Sequence, residues 1–251
     1  MKLINVCKQN ICLNKRVGEF IRNVRSVGEE SISDYLAWQW HKVDPFMRHY
    51  RVSQSNRIQE HYVTGADFKI ELWNITQSGG VALSIQAKKC IDLYDSYRKA
   101  FRYGDPDKHQ IDLLINNAVH SKPKMQPCYV IYTNPESGEC TKDGNHQIQN
   151  YGAFIASAYD IEKFADLPPK TKISREEILK VSYPLHYIFC FSERQSSNDV
   201  TLPFLEEKIA MKDFPPYVKA AISHENRSYI EECMKESGFK SNDILLIRSV
   251  G

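Results

Sequence analysis

The sequence predicts an α/β fold, with a mixed central sheet flanked by helices. Two apolar stretches, 66–74 and 81–88, are joined by a turn with two adjacent glycines, which is typical of a β-hairpin. A helical pattern over 109–119 follows and leads to PCYVIYTN (127–134), whose unbroken apolar character is typical of a strand buried on both faces. A hairpin, a helical crossover and a buried strand together indicate a mixed sheet with helices packed against it.

The elements around this centre are predicted from periodicity and end signals. The segment 29–42 aligns Ile32, Leu36 and Trp40 along one stripe of a helix whose first turn is acidic, as the helix dipole favours. Residues 152–167 fit either a strand followed by a helix or a helix throughout. The other predicted elements are a helix over 91–103, a polar loop over 134–145, a short helix with a capping box formed by Ser174 and Glu177, a strand over 186–191, a flexible loop over 193–201, an amphipathic helix near 223–237 closed by Gly238, and a final strand in DILLIRSV (243–250).

The composition is that of an ordinary globular protein. The chain has 251 residues, of which 42% are apolar and 25% charged, so it can bury one large core, or one core with a small appended subdomain. The net charge is only +2, but residues 1–125 carry 19 Lys and Arg against 13 Asp and Glu, whereas residues 126–251 carry 14 against 18. The basic first half fits a polyanionic partner.

The cysteines and the apolar stretches indicate the compartment. Seven cysteines occur without a CxxC pair, which favours a reduced protein with neither a disulfide framework nor a structural zinc site. The N-terminal segment 1–16 has too many polar residues for a secretory signal, and no stretch approaches the roughly 18 unbroken apolar residues of a membrane span. We therefore expect a soluble, cytoplasmic protein without membrane partners.

The predicted hairpin ends in side chains that could carry chemistry. Gln86 and Lys88 share one face of the second strand, and folding the hairpin about its turn brings Asp67 roughly opposite Lys88. A carboxylate and an amide oxygen make a partial shell for Mg²⁺, and a lysine beside them can assist an attacking water and stabilise a charged transition state. The alternative is structural: Asp67 caps a turn, Gln86 is a surface polar group and Lys88 ends the strand.

The order of these features resembles the PD-(D/E)XK nuclease superfamily. A helix with glutamates at its start, GAD (65–67) opening a strand, a second strand ending in QAK (86–88), a helix and a buried strand follow one another over about residues 25–135. The Gln-x-Lys form is similar to the variant in Mrr-type restriction endonucleases, and the pattern also resembles a group of small bacterial proteins of unassigned function. The resemblance implies a restriction-endonuclease-like fold, with a nuclease core over 1–167 and a C-terminal extension over 168–251 that completes or decorates the same domain.

The same resemblance implies roles for the candidate site residues. Asp67 would be the principal ligand of Mg²⁺ or Mn²⁺, Gln86 would replace the usual acidic second ligand, and Lys88 would activate water and stabilise charge. Gln86 departs from the family pattern, because an amide lacks the negative charge of an acid and metal binding weakens unless another carboxylate contributes. That carboxylate would be Glu29 or Glu30, which periodicity does not separate and which also fit a role in compensating the helix dipole.

Basic residues after the second strand are candidates for nucleic-acid contacts. Lys89 follows Lys88 directly, and Arg98, Lys99 and Arg102 lie on the predicted helix over 91–103. These side chains could line a groove for nucleic acid, or they could form an ordinary solvated helix face.

Three hypotheses for the function follow. The first is a metal-dependent nuclease that hydrolyses phosphodiester bonds in nucleic acid, expected to be DNA, with a role in defence against foreign DNA implied by the resemblance alone. The second is a catalytically degenerate protein of the same fold that binds nucleic acid or a protein partner. The third is a structural or regulatory subunit, and residues 168–251 could form a homodimer surface. No GxSxG, P-loop, GxGxxG or HExxH motif points to another enzyme class.

Overall fold

The computed structural model divides the chain into two compact units. The residues that it describes are 6–24, 26–43, 68–74, 79–91, 97–101, 104–105, 108–168, 170–190, 202, 209–223, 227–236 and 244–248. Unit 1 comprises Met1–Leu36, Ala87–Ile111 and Cys128–Pro203, and unit 2 comprises Ala37–Gln86, Asp112–Pro127 and Phe204–Gly251. Neither unit is a continuous segment.

Helices and strands are interspersed along the described parts of the chain. In chain order the elements are α1 (Val6–Asn23), α2 (Glu29–Val43), β1 (Phe68–Asn74), β2 (Gly79–Lys89), α3 (Arg98–Phe101), β3 (Gly104–Asp105), β4 (Lys108–His109), α4 (Gln110–His120), β5 (Gln126–Tyr132), β6 (Ala153–Ser157), α5 (Ala158–Ala165), α6 (Arg175–Leu179), β7 (Ser182–Pro184), a 3₁₀ helix (Leu185–Phe189), a second 3₁₀ helix (Met211–Asp213), α7 (Pro216–Ile222), α8 (Arg227–Glu236) and β8 (Ile244–Arg248). Parallel and antiparallel strand pairs both occur, so the predicted α/β class with a mixed sheet is confirmed. None of the described helices is long and apolar enough to cross a membrane.

Three antiparallel strands form the sheet of unit 1, and the last residues of β2, Ala87–Lys89, lie beside them. The strand order is β7-β6-β5-β2. Val130 of β5 pairs with Ile155 of β6, and Ile155 pairs on its other side with Tyr183 of β7. Residues 127–132 are all buried, as predicted for a strand covered on both faces.

Helix α1 belongs to unit 1 and was not predicted from the sequence. Its buried positions include Leu13 and Val17, but also Asn10 and Asn14. The side chain of Asn14 is satisfied by the backbone of β6, because its Nδ2 donates to the carbonyl of Ala153 and its Oδ1 accepts from the N–H of Ala153, both at 2.8 Å. Two asparagines on the buried face interrupt the apolar stripe, but Leu13, Val17 and Ile21 still recur on it at helical spacing, so the sequence did carry a signal for this helix.

The backbone of α1 comes very close to the residues that precede β6. A Cβ atom at Gly152 would overlap the backbone of Gly18, and a Cβ atom at Gly18 would lie 2.5 Å from the carbonyl oxygen of Asn150. Glycine is therefore required at both contact positions, which fixes α1 on this segment.

Unit 2 contains the hairpin and the last strand. Phe68 of β1 pairs with Ile85 of antiparallel β2, and Leu72 of β1 pairs with Leu246 of parallel β8. The strand order in this unit is β2-β1-β8, which confirms both the predicted hairpin and the predicted final strand. The helices of this unit bury a small apolar cluster, formed by Phe214, Tyr217, Val218, Ala220 and Cys233.

Most of the remaining predicted elements are confirmed within the described residues. The helix predicted over 29–42 is α2, the helix over 109–119 is α4, and the segment 134–145 contains no helix or strand. Two predictions were made for 152–167, and the structure confirms the strand, β6, followed by a helix, α5, rather than a helix throughout. The capping box of Ser174 is present at the start of α6. The amphipathic helix near 223–237 is α8.

Some predicted elements lie wholly or partly outside the described residues. Of the helix predicted over 91–103, only Arg98–Phe101 is described as helical. Gly238 and the loop over 193–201 fall outside the described residues. After residue 167 the chain adds β7 to unit 1 and β8 to unit 2.

The strand predicted over 186–191 is wrong. The segment Leu185–Phe189 is a 3₁₀ helix, and all five of its residues are buried. A short, unbroken apolar run indicates that a segment is buried on all sides. It does not distinguish a buried strand from a buried turn of helix. The strand in this region is the shorter β7, which ends at Pro184 immediately before the 3₁₀ helix.

The prediction of a protein without disulfides is wrong at one pair. Cys7 of α1 and Cys190, just after the first 3₁₀ helix, form a disulfide across a sequence separation of 183. The two cysteines meet only because α1 packs on that 3₁₀ helix, which sequence spacing does not reveal. The free cysteines among the described residues are Cys12, Cys90, Cys128, Cys140 and Cys233.

Candidate active site

Two polar residues near the end of β2, Gln86 and Lys88, are two positions apart and therefore lie on the same face of the strand. Gln86 is completely buried, and Lys88 is only 8% exposed. Because an ammonium group taken out of water costs free energy unless it is paired, a lysine in this position requires a partner within the fold.

Glu29, the first residue of α2, is that partner. Its Oε1 lies 3.4 Å from Nζ of Lys88, and its Oε2 accepts a hydrogen bond of 2.6 Å from the backbone N–H of Lys89. The carboxylate also lies in the first turn of a helix, where the helix dipole favours negative charge. One side chain therefore holds both the ammonium group of Lys88 and the backbone at the end of β2.

The segment before α2 adds a further contact to the same strand. Nζ of Lys89 donates a hydrogen bond of 3.2 Å to the carbonyl oxygen of Val27. Two consecutive lysines are thus held by residues 27–29, and the start of α2 is fixed relative to the end of β2 within unit 1.

Residues that follow β2 are tied to β5 and α2. The N–H of Cys90 donates to the carbonyl of Tyr132 at 2.8 Å, the hydroxyl of Thr133 donates to the carbonyl of Cys90 at 2.7 Å, and the hydroxyls of Ser33 and Tyr132 lie 2.9 Å apart. Burial raises the pKa of the Cys90 thiol, and the negative charge of Glu29 raises it further. Cys90 is therefore a protonated thiol at neutral pH and does not serve as a nucleophile.

Nearly the whole chain matches one protein family. The family model, described as "Family of unknown function (DUF6615)", covers residues 6–249. The chain belongs to this family. The match includes Glu29, Gln86 and Lys88, so the candidate site lies within the region shared with DUF6615. No curated protein matches the chain.

The described residues of this DUF6615 chain do not complete a metal site. Among them, no group of three or more His, Cys, Asp and Glu side chains could hold a metal ion. Both carboxylate oxygens of Glu29 already face N–H groups of lysines.

The structure separates the two candidate glutamates. Glu29 contacts Lys88, whereas Glu30 is exposed. Adjacent helical residues point about 100° apart, so only one of the pair can face the end of β2. Asp67, which was expected roughly opposite Lys88, lies outside the described residues.

The candidate nucleic-acid contacts are only partly described. Nη2 of Arg98 donates to the carbonyls of Ala165 at 3.3 Å and Leu167 at 2.6 Å, near the end of α5. Carbonyls at a helix C-terminus lack partners within the helix, so Arg98 stabilises the end of α5, and its assignment to nucleic-acid binding stays a prediction. The side chain of Lys99 and all of Arg102 lie outside the described residues.

Several residues that build the site were not selected from the sequence. Val27 contributes its backbone carbonyl oxygen, and no pattern of side chains in the sequence predicts such a contact. Ser33 and Tyr132 meet only through the packing of α2 on β5. The one available signal was the spacing of Ser33 four residues after Glu29, which puts both polar residues on the same helix face.

Proposed function

We propose that the chain is a metal-dependent nuclease that hydrolyses phosphodiester bonds in DNA. The observation that carries the proposal is the buried Lys88, whose ammonium group lies 3.4 Å from the carboxylate of Glu29 at the end of a hairpin strand. Lysine side chains are long and usually extend their charge to water. The burial of the Lys88 ammonium group supports a functional role for this residue. Gln86 and Lys88 together also resemble the Gln-x-Lys form of Mrr-type nucleases.

The chain's own residues take distinct roles in this proposal. The ammonium group of Lys88 donates hydrogen bonds to the scissile phosphate and stabilises the negative charge that develops in the transition state. Glu29 is a positioning residue, because it orients that ammonium group and fixes the backbone of Lys89. Asp67 and Gln86 would hold Mg²⁺ or Mn²⁺, which when bound supplies further positive charge at the phosphate.

The register of the hairpin supports a cation shared by Asp67 and Gln86. Asp67 is bonded to Phe68, whose Cα pairs with that of Ile85, the residue before Gln86. A carboxylate and an amide oxygen are hard ligands of the kind these cations bind.

Replacing Lys88 tests the proposal directly. Lys88→Met keeps an unbranched side chain as far as the ε position and removes the charged Nζ, and we expect the rate of DNA cleavage with Mn²⁺ to fall by roughly 10²–10³, as for loss of one electrostatic stabiliser. The measurement is nicking of a supercoiled plasmid, with circular dichroism to show that the variant is folded. The matched control is Lys142→Met, which removes an exposed lysine paired at 2.8 Å with Asp160.

Two results would contradict the nuclease. The first is a wild-type protein that cleaves neither single- nor double-stranded DNA or RNA with Mg²⁺ or Mn²⁺. The second is a folded Lys88→Met variant that cleaves at the wild-type rate. A variant that does not fold is replaced by Lys88→Met combined with Glu29→Gln, which removes both charges of the ion pair together.

A second candidate function is DNA or protein binding without catalysis. It is favoured by the engagement of both Glu29 oxygens with lysine N–H groups, which leaves the described part of the site short of acidic ligands. Titration calorimetry with Mn²⁺ separates the two functions. Heat of binding that disappears in Asp67→Asn supports the nuclease, whereas no heat in the wild type supports the binding protein.

The biological setting belongs to the same proposal. The proposed setting is the cytoplasm, and a role in defence against foreign DNA rests on the resemblance to restriction endonucleases alone. The disulfide between Cys7 and Cys190 is unusual for that compartment, where thiols are kept reduced.

A further inference from the structure

Helix α1 presents a continuous basic face. Its exposed residues include Lys8, Lys15, Arg16 and Arg22, with Glu19 as the acidic residue among them. At 3.6 residues per turn these positions fall within a sector of about 120°, on the side opposite the buried face. Four positive charges and one negative charge therefore share one side of the helix.

The charges in the middle of this face are not neutralised locally. Within the described part of the chain, neither Lys15 nor Arg16 forms an ion pair. Two other exposed lysines of unit 1 differ, because Lys163 is paired with Asp160 at 2.7 Å and Lys180 with Glu176 at 2.8 Å. Uncompensated charges on one side of a helix produce a local positive potential that attracts polyanions.

The basic face is on the element that leads into the candidate site. Five residues connect the end of α1 to Glu29, and the carbonyl of Val27 in that connection accepts the hydrogen bond from Lys89. Phe20 of α1 stacks on Tyr35 of α2, with ring centroids 4.6 Å apart. These contacts couple the position of α1 to the helix that carries Glu29, all within unit 1.

We infer that the basic face of α1 binds the sugar–phosphate backbone of duplex DNA beyond the bond that is cleaved. The inference rests on the proposed function for the identity of the ligand. Lysine and arginine contacts to phosphates hold a duplex without reading its bases, and each contact releases counterions. The face therefore supplies affinity that is independent of sequence and sensitive to salt, and Lys88 acts on the bond itself.

The double variant Lys15→Gln with Arg16→Gln tests this surface. Glutamine has nearly the same helix propensity as lysine and arginine, so α1 should remain folded. Binding to a short duplex is measured by fluorescence anisotropy in EDTA over a range of salt concentrations. We expect the slope of log Kobs against log salt to decrease in magnitude by about two, because two phosphate contacts are lost. In cleavage assays KM should rise while kcat stays unchanged.

The control variant is Lys163→Gln with Lys180→Gln, which removes the same charge from exposed lysines that already have acidic partners. We expect its salt dependence to equal that of the wild type. An unchanged slope in the α1 variant, or an equal decrease in the control, would overturn the inference. So would a wild-type protein that binds vesicles containing phosphatidylserine through α1 and does not bind DNA.

Failure of this inference is distinguishable from failure of the proposed function. A protein that binds DNA through α1 and never cleaves it contradicts the nuclease and supports the surface. A protein that cleaves DNA with unchanged KM in the α1 variant contradicts the surface and supports the nuclease. Lys88→Met provides the complementary measurement, because it should lose cleavage while its salt slope decreases by no more than about one, for the single phosphate contact that it removes.

Discussion

At the scale of single residues, the carboxylate of Glu29 serves two partners by different means. Its contact with the backbone N–H of Lys89 is short, at 2.6 Å, whereas its distance to Nζ of Lys88 is 3.4 Å. The longer distance is at the edge of hydrogen-bonding geometry, so charge attraction rather than a short hydrogen bond holds the ammonium group. An ammonium group has three donors, and this arrangement leaves Lys88 able to donate to a phosphate oxygen.

Substitution of Glu29 should show how much this pairing contributes to stability. Glu29→Gln keeps an oxygen for the N–H of Lys89 but removes the charge that faces Lys88, and we expect the free energy of unfolding to decrease by about 1–3 kcal/mol. Urea denaturation at neutral pH measures the change. The matched control is the exposed neighbour, Glu30→Gln, for which a change within about 0.5 kcal/mol is expected. Equal losses in the two variants would contradict the assignment of Glu29 as the partner of Lys88.

The same residues show what the sequence could and could not predict about the site. The resemblance and the acidic start of the predicted helix selected Glu29 and Glu30, but the choice between them depends on how α2 is rotated against β2. The contact of Arg98 with the end of α5 was likewise not predicted, because it depends on the packing of another helix. Roles fixed by tertiary contacts are not encoded in local spacing.

At the scale of elements, the sequence predicted a feature correctly where its backbone groups form hydrogen bonds with residues nearby in the chain. The capping box of α6 was predicted from Ser174 and Glu177 because both partners belong to one turn of the chain. Helix α1 is a different case, because Asn10 and Asn14 lie on its buried face and the amide of Asn14 bonds to residues 138 and 139 positions away. Buried polar groups that depend on distant partners weaken an apolar stripe, although its helical spacing remains visible in Leu13, Val17 and Ile21.

The capping box also gives a pH-dependent prediction. Hydrogen bonds from the backbone N–H and the hydroxyl of Ser174 lower the pKa of the Glu177 carboxyl group in the folded protein. A pKa lowered by folding stabilises the protein above the carboxyl group's unfolded pKa, and this stabilisation is lost as the pH falls through the folded pKa. Ser174→Ala should therefore cost about 1 kcal/mol at neutral pH and less in acid. Thermal denaturation across that range measures it; a cost independent of pH would show that Glu177 does not contribute through its charge.

At the scale of the whole molecule, the two units are assembled from interleaved segments. The boundary runs through single elements, since Gly79–Gln86 of β2 belong to unit 2 and the last three residues of the strand to unit 1. The order of elements along the chain predicted the α/β class, because hairpins and crossovers are local. It could not predict the division into units, which depends on contacts between segments far apart in sequence.

The disulfide between Cys7 and Cys190 links two distant parts of the chain within unit 1. Its removal should lower the stability of the protein. Joining Cys7 to Cys190 closes a loop across 183 positions of sequence, which restricts the unfolded chain. We expect reduction with dithiothreitol to lower the free energy of unfolding by about 2–4 kcal/mol. The variant Cys7→Ala with Cys190→Ala should resemble the reduced wild type and should not respond to reductant, whereas Cys12→Ala, at an exposed free cysteine, should respond as the wild type does. A wild-type urea midpoint that dithiothreitol leaves unchanged would mean that the two cysteines are not joined in solution, as expected of a protein kept in a reducing cytoplasm.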